Sequence, residues 1–376
     1  MAKLTTCVAF SALFFFFLHR RPLRANGAKY DVVALGAVGD GKTGSSEAFL
    51  RSWKSACESK GPSIIYVPSG KFLLEKSIEF VGPYEGGPIG IRIDGSPVAP
   101  SDYKVIGSAY SWLPFHNVDG VYLSGGTLDG RHRVGEMQGF FRYKTFHIVI
   151  NRCENVMVHG VKVFTNGDTP NTDGIHIQYS FDVTILNLRI ATGDDCVSIT
   201  QGTSNAWGED ILCGPGHGIS VSSLGKTIEE EGLENVTIMS VTLSRTTNGL
   251  RIKTWGRPSS AFARNFRFQH VVMSDVQNPI IIDQNYCPHN ENCPGQDSGV
   301  QVSNITYEDI RGTSATRVVL KFDCSTETPC TGIQMKDVNL TYKDQPAAAL
   351  CVNANGAAEG QIQPSNCLAA SDCDAL

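Results

Sequence analysis

An all-β chain wound as a right-handed parallel β-helix, a solenoid with a capping helix at its N-terminal end, is what this 376-residue sequence predicts. Three observations carry that expectation. First, a degenerate unit recurs: an Asn or Asp, a run of alternating apolar residues, then a Gly or a polar turn. It opens at Asn155, Asp182, Asp210, Asn235, Asn265 and Asn304, and successive starts differ by roughly 25 to 40 residues, a spacing typical of stacked repeat architectures. Second, the apolar positions are rich in β-branched residues and alternate with period two, as in VTILNLRI after Asp182 and VTIMSVTL after Asn235. That is the pattern of strands, and short strands that stack on copies of themselves form a solenoid. An ordinary β-sandwich would instead carry Asn-Gly hairpin turns at shorter spacing. Third, helical periodicity is convincing in one place only.

The elements follow in chain order. Residues 1–25 read as a secretory signal peptide, with Lys3 as a thin positive start and an apolar run from Cys7 to Leu18. That run is short of the about 20 residues needed to span a bilayer, so no membrane partner is expected once the signal is removed. Arg20, Arg21 and Arg24 follow the run, and no clean small-x-small cleavage site stands out. Residues 26–376 read as one domain, because no linker, charge run or low-complexity stretch divides them. Ser45 to Lys60 is the helix, with Phe49, Trp53 and Ala56 at helical spacing, and it suits the polar-faced cap that an open solenoid end requires. The Ala-, Asn- and Cys-rich tail after Ala347 closes the other end.

Composition limits the function. Hydrophobic content of 41% and charged content of 18% are those of an ordinary globular protein, which argues against disorder. A formal charge of −5 argues against nucleic acid as the main partner. An acidic enzyme can still take an acidic polymer if its cations are concentrated in the cleft. Of twelve cysteines, Cys7 falls in the signal, and local spacing pairs Cys196 with Cys213, Cys287 with Cys293, Cys324 with Cys330, and Cys367 with Cys373. Such pairing suits an oxidising compartment. It leaves Cys57, Cys153 and Cys351 as candidates for a free thiol. No cysteine spacing recurs with histidines as a zinc site requires, so no metal is expected. Sequons at Asn235, Asn304 and Asn339 support a secreted glycoprotein, although each also lies in a strand-like segment.

Four polar clusters interrupt the apolar sequence: Asn171-Thr172-Asp173, Gly193-Asp194-Asp195, Gly216-His217-Gly218 and Arg251-Ile252-Lys253. Cleaving a glycosidic bond needs an acid for the leaving oxygen and a base for water, and neighbouring carboxylates can take those two states because like charges resist ionising together. Consecutive strand residues point to opposite faces, so Asp194 and Asp195 reach one site only if the chain bends; Gly193 permits the bend and a Cys196–Cys213 bridge would pin it. Asp173 and Asp194 are 21 positions apart, and Asp194 and His217 are 23 apart, each close to one coil. Arg251 lies 34 further on, one coil plus a loop. Linear order therefore becomes a stacked patch. Arg251 and Lys253 share a strand face and suit a sugar carboxylate.

In these stretches the sequence resembles the polygalacturonases of glycoside hydrolase family 28, in its plant branch, from about Tyr30 to about Cys373. The motifs are VVALGAVGDGKT at 32–43, VAPSDY at 98–103, GGTLDGR at 125–131 and TPNTDGIHI at 169–177. They continue with TGDDCVSI at 192–199, CGPGHGIS at 213–220, NGLRIKTW at 248–255 and NPIIIDQNYC at 278–287. The resemblance implies a secreted cell-wall enzyme, expected to be a monomer, that hydrolyses α-1,4-linked galacturonan (pectin) with inversion and without a cofactor. It implies Asp194 as general acid, Asp173 and Asp195 holding the nucleophilic water, and His217 maintaining the protonation of the acid. It implies Asn171, Arg251, Lys253 and Tyr286 as galacturonate-binding residues. Two departures stand out. Family members place a longer, cysteine-containing segment where this chain has only Arg131 to Thr145, and Ser222 stands where glycine is more usual. The short segment motivates one alternative, a pectin-binding wall protein with an impaired site. A rhamnogalacturonan hydrolase is the other.

Overall fold

In the computed structural model, residues 27–101, 104–107, 109–131, 146–165, 171–288, 291–343 and 345–369 are described. The expected signal peptide, residues 132–145 of the short segment that begins at Arg131, and Cys373 lie outside the described residues. Every named strand pairing is parallel, in a 10-stranded and a 17-stranded sheet. The 10-stranded sheet takes its strands in strict chain order from Phe80–Val81 to Ala348–Val352, one per coil. Long strands of the other sheet cover two sides of each coil. Phe181–Ala191, for example, pairs with both Glu154–His159 and Lys162–Phe164. This is the expected right-handed parallel β-helix.

The period-two pattern is visible as columns of inward side chains. Ile175, Val197, Ile219, Leu250, Ile280 and Leu320 lie in register up one face, with Ile177, Ile199, Val221, Ile252, Ile282 and Phe322 two residues along. All are buried. Each new coil therefore buries the apolar face of the one before it, which is where the hydrophobic stabilisation of about 25 cal/mol per Å² arises.

The repeat unit has a physical basis, and one starting residue is corrected. Asn155, Asp182, Asn205, Asn235, Asn265 and Asn304 all sit at φ between 53° and 59°, at one corner of successive coils. Their side chains form a ladder: Asn205 Nδ2 donates to Asp182, Asn235 to Asn205, Asn265 to Asn235 and Asn304 to Asn265, each at 3.2 Å. Asn tolerates the left-handed conformation better than other non-glycine residues. Asp210, expected to open a unit, instead occupies the next corner with Asn187, Ser240, His270, Asp309 and Asp337. Asn205, five residues earlier, takes the ladder position. Two of the sequon asparagines, Asn235 and Asn304, thus have a structural role of their own.

The capping helix runs Ser46–Cys57 and buries Ala48, Phe49, Trp53 and Ala56, with Trp53 edge-on to Phe80 at 5.1 Å. It starts one residue later than expected and ends three earlier. Its first turn is capped from a distance, by Glu75 accepting from the Ser46 amide at 3.2 Å. The disulfides Cys196–Cys213, Cys287–Cys293 and Cys324–Cys330 form as expected. The fourth expectation is wrong: Cys367 pairs with Cys351, not Cys373, because the tail folds back over the last coil strand and brings the two Cα atoms to 5.6 Å. Cys351 is accordingly not free; Cys57 and Cys153 are the free thiols among the described residues.

The stack is continuous across the shortened segment. Ser111–His116 pairs directly with Phe146–Asn151 over five registered positions, and Thr127–Asp129 with Lys162–Phe164. The coils on either side are therefore neighbours, and a solenoid tolerates such a junction because each coil touches only the next. No helix among the described residues is long and apolar enough to cross a membrane.

Candidate active site

The site is built on the 10-stranded sheet by strands Ile175–Gln178, Val197–Ile199, Ile219–Leu224 and Asn248–Trp255, together with the turns that precede the first three. Inward isoleucines, valines and leucines lock each strand to the core, so the alternate residues must face outward. The turns are stacked by main-chain bonds: Gly174 N donates to Asp195 O at 2.9 Å, Cys196 N to Gly218 O at 2.8 Å and His217 N to Asp194 O at 2.7 Å. The chain bends at Gly193 and Asp194, as expected, with the Cys196–Cys213 bridge beside the bend. Gly218 adopts φ 84°, and a Cβ there would come within 2.1 Å of the Asn248 carbonyl oxygen, so this turn excludes a side chain.

These turns deliver the expected set to one cleft of about 850 Å³, lined by Asn171, Asp173, Asp194, Asp195, His217, Arg251, Lys253 and Tyr286 among others. Asp195 is buried and fully engaged: Oδ1 accepts from Ser220 Oγ at 2.7 Å and Arg251 Nη2 at 2.9 Å, while Oδ2 faces Lys253 Nζ at 3.4 Å. Asp194 lines the same cleft half-buried, its Oδ1 accepting from the Asp195 amide at 2.9 Å, with His217 Nδ1 also 2.9 Å away. Asp173 is buried and accepts from Ser198 Oγ at 2.5 Å. Lys253 Nζ also lies 5.1 Å from the centre of the Tyr286 ring, which stands edge-on to Trp255 at 5.7 Å.

The environments separate the carboxylates. Burial pushes Asp173 up, and the neighbouring Asp194 and Asp195 add to this, against a downward pull from His176. Burial also pushes Asp194 up, but the His217 hydrogen bond, Lys253 and Arg251 outweigh it and hold Asp194 low. The donor atoms of Asp194, Asp195 and His217 fall within 4.8 Å of one another. Both Asp195 oxygens already face cations, Arg251 at 2.9 Å and Lys253 at 3.4 Å.

Comparison with known proteins places the chain in a family. Residues 140–363 match the model of the family described as glycosyl hydrolases family 28. The chain is 51% identical to a polygalacturonase of Prunus persica, across 98% of this chain and 100% of the relative. The chain belongs to glycosyl hydrolase family 28. An exopolygalacturonase of Platanus acerifolia is 35% identical over 92% of this chain and 99% of its own. Among solved structures, the polygalacturonase of Erwinia carotovora ssp. carotovora superposes with a TM-score of 0.61 at 20% identity, over 89% of this chain and 98% of that one. The endo-xylogalacturonan hydrolase of Aspergillus tubingensis does so at 0.68 and 20%, over 89% and 100%. These two share the fold.

Family membership makes the chain a glycoside hydrolase, and its cleft contains more than the expected residues. Phe146, His176, Trp255 and the loop carrying Lys226, Glu229, Glu230 and Glu231 also line it, while Ser198 and Ser220 stand behind Asp173 and Asp195. A signal for the polar column was present. His176, Ser198 and Ser220 are spaced 22 and 22 residues apart, one coil each, at outward positions of strands already placed. The acidic loop had no comparable signal, since a charge run alone usually marks a solvated face.

Proposed function

We propose that this family 28 hydrolase cleaves α-1,4-linked galacturonan, the backbone of pectin, by an inverting acid/base mechanism. One observation carries the reading: three carboxylates from adjacent coils and two cations, Arg251 and Lys253, converge on one cleft. In the proposed reaction Asp194 protonates the leaving oxygen, and Asp173 with Asp195 holds and deprotonates the water. Asn171, Arg251, Lys253 and Tyr286 bind the galacturonates beside the cut. The substrate carboxylate takes over part of the cations' charge. This lessens their downward pull on Asp194 and so favours its protonated form when substrate is bound. The chemistry needs no cofactor. The four disulfides among the described residues suit an extracellular, cell-wall location, and the reading is of a secreted monomer.

The test is release of reducing ends from polygalacturonic acid by the purified protein and its Asp194→Asn variant, with polymer binding measured alongside. Hydrolysis that vanishes in the variant while binding persists supports the reading. Hydrolysis retained in the variant removes Asp194 as the acid. Binding without hydrolysis by the wild type favours the wall-binding alternative.

A further inference from the structure

One outward column runs through four consecutive coils of the cleft sheet. His176 pairs in register with Ser198, Ser198 with Ser220, and Ser220 with Arg251. Both serines are buried, and each gives its hydroxyl proton to a carboxylate from a neighbouring turn: Ser220 to Asp195 at 2.7 Å and Ser198 to Asp173 at 2.5 Å. A serine has one proton to give, so its other close contact must be one that it accepts. At Ser220 that contact is Arg251 Nε at 3.1 Å. At Ser198 it is His176 Nδ1 at 2.7 Å, which fixes a hydrogen on Nδ1. The two halves of the site therefore repeat one arrangement, nitrogen donor to serine to carboxylate. In one half the donor is a permanently charged guanidinium. In the other it is an imidazole, whose charge follows pH.

The imidazole is held for this part. Phe146 from the preceding coil stacks on it at 4.5 Å and 19°, and Gln178 Oε1 lies 3.4 Å from Nε2. Nδ1 is 3.7 Å from Asp173 Oδ2 itself. Ser198 is no nucleophile, being 1% exposed with its proton spent on Asp173.

We propose that His176, acting through Ser198, is a positioning residue for Asp173, holding that carboxylate oriented beside the attacking water as Arg251 orients Asp195. The inference rests on the hydrolytic reading above. The groups facing this pair come from every side. His147 on the preceding coil has its Nδ1 3.0 Å from the Asp173 carbonyl, and Asp194 and Asp195 lie on the next turn. His217 reaches the set through Asp194, and Arg251 and Lys253 reach it through Asp195. Burial and the two neighbouring carboxylates push Asp173 up while His176 pulls it down. Without an imidazole, Asp173 protonates at a higher pH, and the acidic limb of the rate profile moves up with it.

The test is the pH profile of kcat/KM on polygalacturonic acid for the wild type, His176→Asn, Ser198→Ala and their double variant, with thermal unfolding as a check on the fold. Asn keeps a donor near the Nδ1 position and cannot carry charge. His176→Asn is expected to lower kcat by about 10-fold, leave KM within about 2-fold, and raise the acidic limb by roughly 1 pH unit. Ser198→Ala should raise the same limb, Ser198→Thr should restore it, and the double variant should be no worse than the worse single one, because all act through one contact chain. An acidic limb that stays in place in folded His176→Asn, or losses that add in the double variant, would overturn the proposal. If Ser198→Ala does not fold, the limbs of His176→Asn and Ser198→Thr decide. A wild type that hydrolyses nothing would instead remove the hydrolytic reading, so the two failures are distinguishable.

Discussion

Two corners of the same coil use coil-on-coil stacking in opposite ways. At the ladder corner, Asn205, Asn235, Asn265 and Asn304 each donate to the residue one coil earlier, Asp182 or another Asn, so stacking satisfies them. At the cleft corner, the same geometry stacks Asp173, Asp194 and Asp195, and repetition concentrates like charge. The first column spends its polar groups on the fold. The second gives each carboxylate a different partner: Ser198 and His176, His217, or Ser220 with two cations. A solenoid can place chemistry wherever one coil's outward residue differs from the next, and the core columns need not change.

Breaking the cleft corner should have the largest effect. Asp194→Asn is expected to lower turnover by about 10²–10⁴-fold, the range typical of a lost general acid, with little change in melting temperature. Arg251→Gln removes a guanidinium from both Ser220 and Asp195, so kcat should fall and KM rise together, by about 10–100-fold in kcat/KM, as steady-state kinetics on polygalacturonic acid would read. Breaking the ladder should do the reverse. Asn265→Ala loses two side-chain hydrogen bonds and must hold alanine at φ 59°. It should cost about 1–2 kcal/mol in denaturant unfolding and leave kcat unchanged.

The smallest effect sharpens the contrast. Asp173 in the folded protein sits above its ordinary carboxyl value because burial disfavours its charge. The folded state then binds more protons than the unfolded one between the ordinary and the raised value, so this group costs stability as pH rises through that window. Asp173→Asn should therefore raise the melting temperature at neutral pH, and the advantage should shrink as pH falls toward the ordinary carboxyl range. An equal advantage at all pH values would mean that the effect is not one of charge.

The contrast also explains what could be read in the sequence. The fold was legible because burial imposes period two on every strand and the left-handed corner favours Asn, so the pattern recurs wherever the geometry does. Asp210 misled because both corners of the coil favour Asn or Asp before an apolar run, and five residues separate Asn205 from Asp210. The expected site residues came together because their spacing is nearly one coil. His176, Ser198 and Ser220 were missed because two are serines and none bears a fixed charge, although their even spacing was there to be found. Cys351–Cys367 was out of reach because spacing measures distance along the chain, and the tail doubles back across a strand.

The most direct test of the acid/base reading is time-resolved proton NMR of the first reducing ends released from polygalacturonic acid. Water attacking opposite the leaving oxygen, as assigned to Asp173, Asp195 and Asp194, predicts that β-anomers appear first and mutarotate to the equilibrium mixture. Reducing ends that appear first as α-anomers would contradict that division of roles, because they would require a covalent intermediate on one of the carboxylates.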